Sequence, residues 1–339
     1  MTHHRRRFST TDKIGLGVLG VGAVVLIHAF FQGPTTFAQV TAIGLSNGAL
    51  YALIALGYTM VYGIIELINF AHGDLFMLGS VFCAIVMEEW LNQTESSPEA
   101  WLWLFVVGIG VMAACALINV VIEKLAYRRL RNAPKLAPLI TAVGMSFILQ
   151  NVGIILNGSA PNSRDSVLPQ GSITIGSVEI RIKYLVVIAV TIPLLLLMTW
   201  IVQKTKTGKA MRATAQDRDA SLLMGINVDR IISYTFALGG ALAGAAGVLF
   251  VEVNGQTRYD AGFRLGLIAF TAAVLGGVGN LLGAVIGGVM IGLIQGLNDS
   301  GLGLFPGQKW TQTVMFSILI LMIIFRPGGI FNTAQTEKV

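Results

Sequence analysis

QKTKTGKAMRATAQDRDASLLMGINVDR, residues 203–230, is a polar island between two apolar runs. The flanking runs, Tyr184–Val202 and Ile231–Val251, are each long enough to cross about 30 Å of hydrocarbon as a helix. The island carries Lys204, Lys206, Lys209, Arg212, Arg218 and Arg230 against Asp217, Asp219 and Asp229. So many charges do not sit in lipid. The island is therefore a surface loop joining two membrane spans, and the chain around it reads the same way.

Of 339 residues, 54% are hydrophobic and 12% charged, against roughly 25% charged in soluble domains. The fold class is an all-α polytopic membrane protein. Ile14–Phe31 reads as a retained first helix, because no A-x-A cleavage site follows it. Further spans are expected at Phe37–Met60, Leu75–Met87, Trp101–Ile122, Pro138–Leu156, the two runs beside the island, and Thr311–Phe325. Leu265–Leu297 is too long for one upright crossing and is divided at Gly276-Gly277-Val278-Gly279-Asn280. The total is ten helices, or eight if one pair is re-entrant. Cys83 and Cys115 lie in apolar runs and read as buried free thiols. No metal-ligand spacing occurs, and no Walker A pattern, so the chain has no nucleotide-hydrolysing motif of that kind.

Charge sets the topology. With the N-terminus inside, the inner segments hold 17 of the 23 Lys and Arg residues, and acidic residues lean outward. This bias expects both termini, and the island, in the cytosol. The net charge of +6 then reflects basic inner loops rather than nucleic-acid binding.

Within the island, Gly208 precedes a helix-favouring run, Lys209 to Ala215. Asp217 is placed to cap a second short helix, with Asp219 in its first turn and Gly225 at its end. Two short helices at the membrane surface are expected. In the outer loop Asn157–Lys183, alternation around Gly176-Ser177 predicts a small β-hairpin.

Asn47 to Gly79 carries polar groups at or near membrane depth: Asn47, Tyr51, Tyr58, Tyr62, Glu66, Asn69, His72 and Asp74. Such groups face a cavity or pair with one another. For Glu66, His72 and Asp74 the favoured reading is a headgroup position at a cytosolic turn. Asn47, Tyr51, Tyr58 and Asn69 are candidates for a solute path. Glycines four apart, at Gly240/Gly244, Gly283/Gly287 and Gly288/Gly292/Gly296, favour close helix packing.

Several of these stretches resemble one family. GALYALIALGYTMVYGIIELINFAHGDLFMLGS is similar to the early membrane region of the permease subunits of bacterial branched-chain amino-acid ABC transporters. TGKAMRATAQDRDASLLMGINVDRI resembles their cytosolic coupling region, FTAAVLGGVGNLLGAVIGGVMIGLIQ their late glycine-rich helices, and FRPGGIF their C-terminal signature. The order matches, and INFAHGD points to the H-type subunit. An N-terminal extension and the Glu-rich loop Glu88–Glu99 depart from that pattern.

The resemblance implies a permease domain over 14–326, between a cytosolic extension 1–13 and a cytosolic tail 327–339. It implies a location in the bacterial inner membrane, with coupling helices in 203–230. Gly208, Arg212, Ala213, Gln216, Asp217 and Gly225 would form or shape the ATPase-docking element. The implied partners are a paralogous permease, two cytosolic ATPase subunits and an extracytoplasmic substrate-binding protein. The chain takes no cofactor of its own, since ATP belongs to the ATPase subunits. Urea or short amides are alternative substrates. An ion-coupled secondary transporter is the competing class, but Glu66 and Asp74 near a turn are poor coupling residues for it.

Overall fold

In the computed structural model, residues 27–66, 69–131, 133, 134, 136–302 and 305–331 are described. Helix α1 is Pro34–Ile65 and α2 is Ala71–Ala84, which continues as a π-helical turn through Trp90. Helix α3, Pro98–Ile122, is extended by further turns to Leu130; α4 is Leu136–Asn157 and α5 is Ile182–Lys204. The island folds as α6, Lys206–Gln216, and α7, Arg218–Leu223. Then come α8, Val228–Asn254, α9, Ala261–Gly276, α10, Leu281–Ser300, and α11, Thr311–Phe325.

Among the described residues, eight helices are long and apolar enough to cross a membrane, and α9 is a shorter apolar helix. The expected division of Leu265–Leu297 falls where predicted: α9 stops at Gly276, and Gly277 and Gly279 take φ of 108° and 91°. The expected first span, Ile14–Phe31, lies outside the described residues except for its last few, which are helical. Residues 1–13 and 332–339 also lie outside them.

The helices form a core and a rim. In the most apolar window of α1, 89% of residues are buried, and 78% in those of α2 and α8; in α11 the share is 6%. α1, α2 and α8 therefore make the centre. α3, α4, α5 and α11 turn apolar side chains such as Phe105, Ile140, Leu196 and Ile324 outward, as lipid contact requires.

The predicted glycine spacings become helix crossings. A methyl group on Gly292 would lie 2.2 Å from the Gly48 nitrogen of α1, and one on Gly288 would lie 2.6 Å from Ala52 Cα. Gly287 meets the Ala272 carbonyl of α9, and Gly240 meets the Cys115 carbonyl of α3. Each pair of backbones touches because no side chain stands between them. Both cysteines are buried and free.

At the end of the bundle away from the island, β2 (Ser172–Ile175) pairs with β3 (Val178–Arg181) around Gly176-Ser177, with Ile173 opposite Ile180. The predicted hairpin is present. A second, two-residue ladder joins β1 (Asn162–Ser163) to β4 (Gln256–Thr257) beyond the end of α8. At the island end, the chain after α11 clips onto the end of α9. Ile330 N donates to Leu275 O at 2.9 Å, and Asn280 Nδ2 to Phe331 O at 3.0 Å.

Candidate coupling surface and translocation path

The island is built from local caps. Thr205 Oγ1 accepts from Gly208 N at 3.0 Å and donates to Ile201 O at 2.6 Å, so α6 starts where α5 stops. Gly208 therefore lies in the first turn of α6 rather than before it, a correction to the expected start at Lys209. It is glycine for a steric reason: a methyl group there would lie 2.2 Å from the Val202 carbonyl. Asp217 Oδ1 accepts from Ala220 N at 2.9 Å and caps α7 as predicted. Gly225, at φ 78°, ends it, with Ile226 N returning to Ser221 O at 3.0 Å. Asn227 Oδ1 accepts from Arg230 N at 3.0 Å and starts α8.

Three arginines lash this loop to membrane helices. Arg212 donates to Val202 O at the end of α5. Arg218 donates from Nη2 to Ile64 O at 2.8 Å, in the last turn of α1. Burial, and then the nearby Arg131 guanidinium, pull the Arg218 pKa below its ordinary value, while the Glu66 and Asp219 carboxylates push back. Arg131 joins Glu123 of the α3 extension to Asp229 in the first turn of α8. Glu123 is fully buried and also accepts from Ser233 Oγ at 2.7 Å and from Arg128 Nη2 at 3.3 Å. A buried carboxylate needs such partners to offset several kcal/mol of lost hydration.

Of the expected docking residues, Arg212, Gln216, Asp217 and Gly225 are exposed, Ala213 is half-buried, and Gly208 is buried. The structure also exposes three apolar residues that the sequence reading passed over. Leu222, Leu223 and Met224 follow one another at the tip of α7 and are 57%, 89% and 81% exposed. The signal was there: three consecutive apolar residues in a polar loop call for a partner surface.

The candidate path residues divide into two groups. Tyr51, buried in α1, donates to Gln295 of α10, whose Nε2 donates to Asp299 Oδ2 at 3.3 Å. Thr311 at the start of α11 donates to Asp299 and accepts from Asn298 Nδ2 at 3.0 Å. Asn47 stands one turn from Tyr51 and is half-buried. Nearer the island, Tyr58 meets His72 edge-on, with ring centroids 4.7 Å apart, and Tyr127 Oη donates to Asn69 Oδ1 at 2.7 Å. Tyr51, Tyr58 and Asn69 are thus paired inside the bundle.

Glu66 is exposed where α1 ends, as the headgroup reading expected. That reading fails for His72 and Asp74, which are 1% and 0% exposed. His72 fits because Gly57 has no side chain: a methyl group there would lie 2.4 Å from His72 Nε2. Asp74 faces Ser146 and Gln150 of α4. Both residues come too early in α2 for sequence to reveal that neighbouring helices extend past them.

Residues 40–324 match the family described as the permease component of branched-chain amino acid transport systems. The chain is 39% identical, over 302 residues, to the high-affinity branched-chain amino acid transport system permease protein BraD of Pseudomonas aeruginosa. That alignment covers 87% of this chain and 96% of BraD. It is 38% identical over 311 residues to the corresponding LivH proteins of Salmonella typhimurium and Escherichia coli, covering 89% of this chain and 98% of each relative. With its multi-pass helical bundle, the chain belongs to the permease-component family of branched-chain amino acid transport systems.

Proposed function

We propose that this chain carries branched-chain amino acids inward across the bacterial inner membrane, as one permease of an ATP-driven importer. The observation that carries this reading is the island. It leaves three adjacent apolar side chains uncovered and is tied by Arg212 and Arg218 to the ends of α5 and α1. An exposed apolar tip on a braced base suits a partner that pushes. Cytosolic ATPase subunits are that partner, and they bind the ATP, since this chain has no Walker A motif and takes no cofactor. The basic bias of the loops supports a cytosolic island and cytosolic termini. A paralogous permease completes the path, and a soluble binding protein delivers substrate from the hairpin side. Asn47 lines the path along α1, while Tyr51, Tyr58 and Asn69 hold that wall in place. A zwitterion with an apolar tail needs only weak contacts there, because the binding protein does the selecting.

Uptake into proteoliposomes holding the assembled transporter tests this. Leucine uptake should require ATP on the island side and survive a protonophore. Uptake abolished by the protonophore with ATP present would overturn the reading in favour of an ion-coupled carrier.

A further inference from the structure

Residues 162–168 form a strap across the end of α8 that lies farthest from the island. Its first half is held by main chain: Asn162 pairs with Thr257 and Ser163 with Gln256, and Arg164 N donates to Gly255 O at 2.7 Å. The Arg164 side chain also binds Glu88 at 2.7 Å, in the π-helical turn that ends α2. The second half has a different anchor. Glu252, in the last turn of α8 and 4% exposed, accepts through Oε2 from Val167 N at 3.0 Å and from Ser166 Oγ at 3.1 Å. Val167 and Leu168 are thereby pressed into the bundle, at 0% and 1% exposure.

A buried carboxylate is a poor choice for stability alone, since a well-packed apolar residue serves as well or better. What it supplies is direction, because it grips one particular main-chain amide. The helix that carries it matters as much. Helix α8 is an unbroken run of 27 residues, about 40 Å long by its rise. Its first two turns carry Asp229 and Ser233, bound to Arg131 and Glu123 beside the island. Its last turn carries Glu252. One rigid element therefore joins the island to the strap. The strap in turn walls a polar recess of about 490 Å³, lined by Glu95, Arg164, Asp165, Ser166, Lys183 and Asn254 among others.

We propose that Glu252 is a positioning residue that locks the strap to α8, so that movement of the coupling island and of the surface receiving the substrate-binding protein is shared. This rests on the importer reading above and adds the element that links the two faces. Coupling between distant sites is carried by packed side chains, hydrogen-bond networks and rigid elements that have two discrete arrangements. Without Glu252 the first half of the strap keeps its ladder, the fold persists, and the link is lost.

The test uses the complete transporter in proteoliposomes, with its binding protein loaded with leucine. Wild-type uptake reports on the importer reading itself, and each variant is scored against the wild type. Glu252→Ala should reduce the stimulation of ATP hydrolysis by loaded binding protein at least about fivefold, the lower end of typical coupling free energies, while hydrolysis without binding protein stays within about twofold. Glu252→Gln keeps an acceptor oxygen and should retain most of the stimulation. Full stimulation in Glu252→Ala overturns the proposal. So does equal loss of unstimulated hydrolysis in Glu252→Ala and Glu252→Gln, since that leaves Glu252 with a role in the fold alone.

Discussion

The guanidinium of Arg218 reaches from the polar island to the carbonyl of Ile64, 2.8 Å away, in the last turn of α1. That carbonyl belongs to the end of a helix, where oxygens lack intrahelical donors and the dipole favours a cation. Arg218 thus ties the island to the central helix of the bundle. The same helix carries Asn47, Tyr51 and Tyr58.

Removing that tie should uncouple the machine without unfolding it. A hydrogen bond from a charged donor is worth about 1.5–3 kcal/mol. Arg218→Ala should therefore lower leucine transported per ATP hydrolysed at least about fivefold, while membrane insertion is unchanged. Arg218→Lys should recover only part, because a flexible ammonium replaces a rigid fork. Parallel assays of uptake and phosphate release decide it, and an unchanged ratio in Arg218→Ala removes the tether from the mechanism.

The pair Arg212→Ala, Asp217→Ala attacks the island itself. Asp217 caps α7, and losing such a cap costs about 1 kcal/mol. Arg212 bridges to the end of α5. Together they should let α7 fray and α6 swing free, so that ATP hydrolysis continues while uptake falls. Normal transport in this variant would rule out the docking role of the island.

Leu223 tests the contact rather than the brace. It is the most exposed of the three apolar residues at the tip of α7. If it seats in a groove of the ATPase subunit, Leu223→Asp should weaken that association at least about tenfold, as desolvated anchors do. Co-purification and titration of the ATPase subunit onto the permease measure this directly. Binding as tight as wild type would move the contact elsewhere on the island.

How much of this was legible in the sequence depends on the range of each interaction. Asp217, Gly225 and Asn227 act on residues three to five positions away, so their spacing alone carries their roles. The hairpin at Gly176 and the break at Gly277 are equally local. Arg218 and Ile64 are 154 residues apart, and nothing near Arg218 announces that partner. His72 and Asp74 show the same gap. Position next to a turn suggested the membrane surface, but the depth at which a residue sits depends on which helices surround it.

Glycine spacing is an intermediate case, and it yields the most direct stability test. Gly288, Gly292 and Gly296 announce close approach but do not name the partner. The structure names α1, where Gly44, Gly48 and Ala52 supply the facing backbone. At Gly292 the atom a methyl group would meet is the Gly48 nitrogen, at 2.2 Å, and a main-chain atom cannot step aside as a side chain can. Gly292→Val should therefore force the two helices apart, at a cost at or above the usual 1–3 kcal/mol of overpacking. The expected signs are a drop of several degrees in the unfolding temperature in detergent and a lower yield from membranes. Gly108→Val is the matched control. That glycine is also in a span, yet nothing lies within 4 Å of the added Cβ, so stability should move by no more than about 0.5 kcal/mol. If both substitutions lower stability equally, the cost belongs to glycine in membrane helices generally and not to the crossing of α1 with α10. If only Gly292→Val does so, the crossing is a seam that holds the core together, and motion imposed on α1 by the island must carry α10 with it.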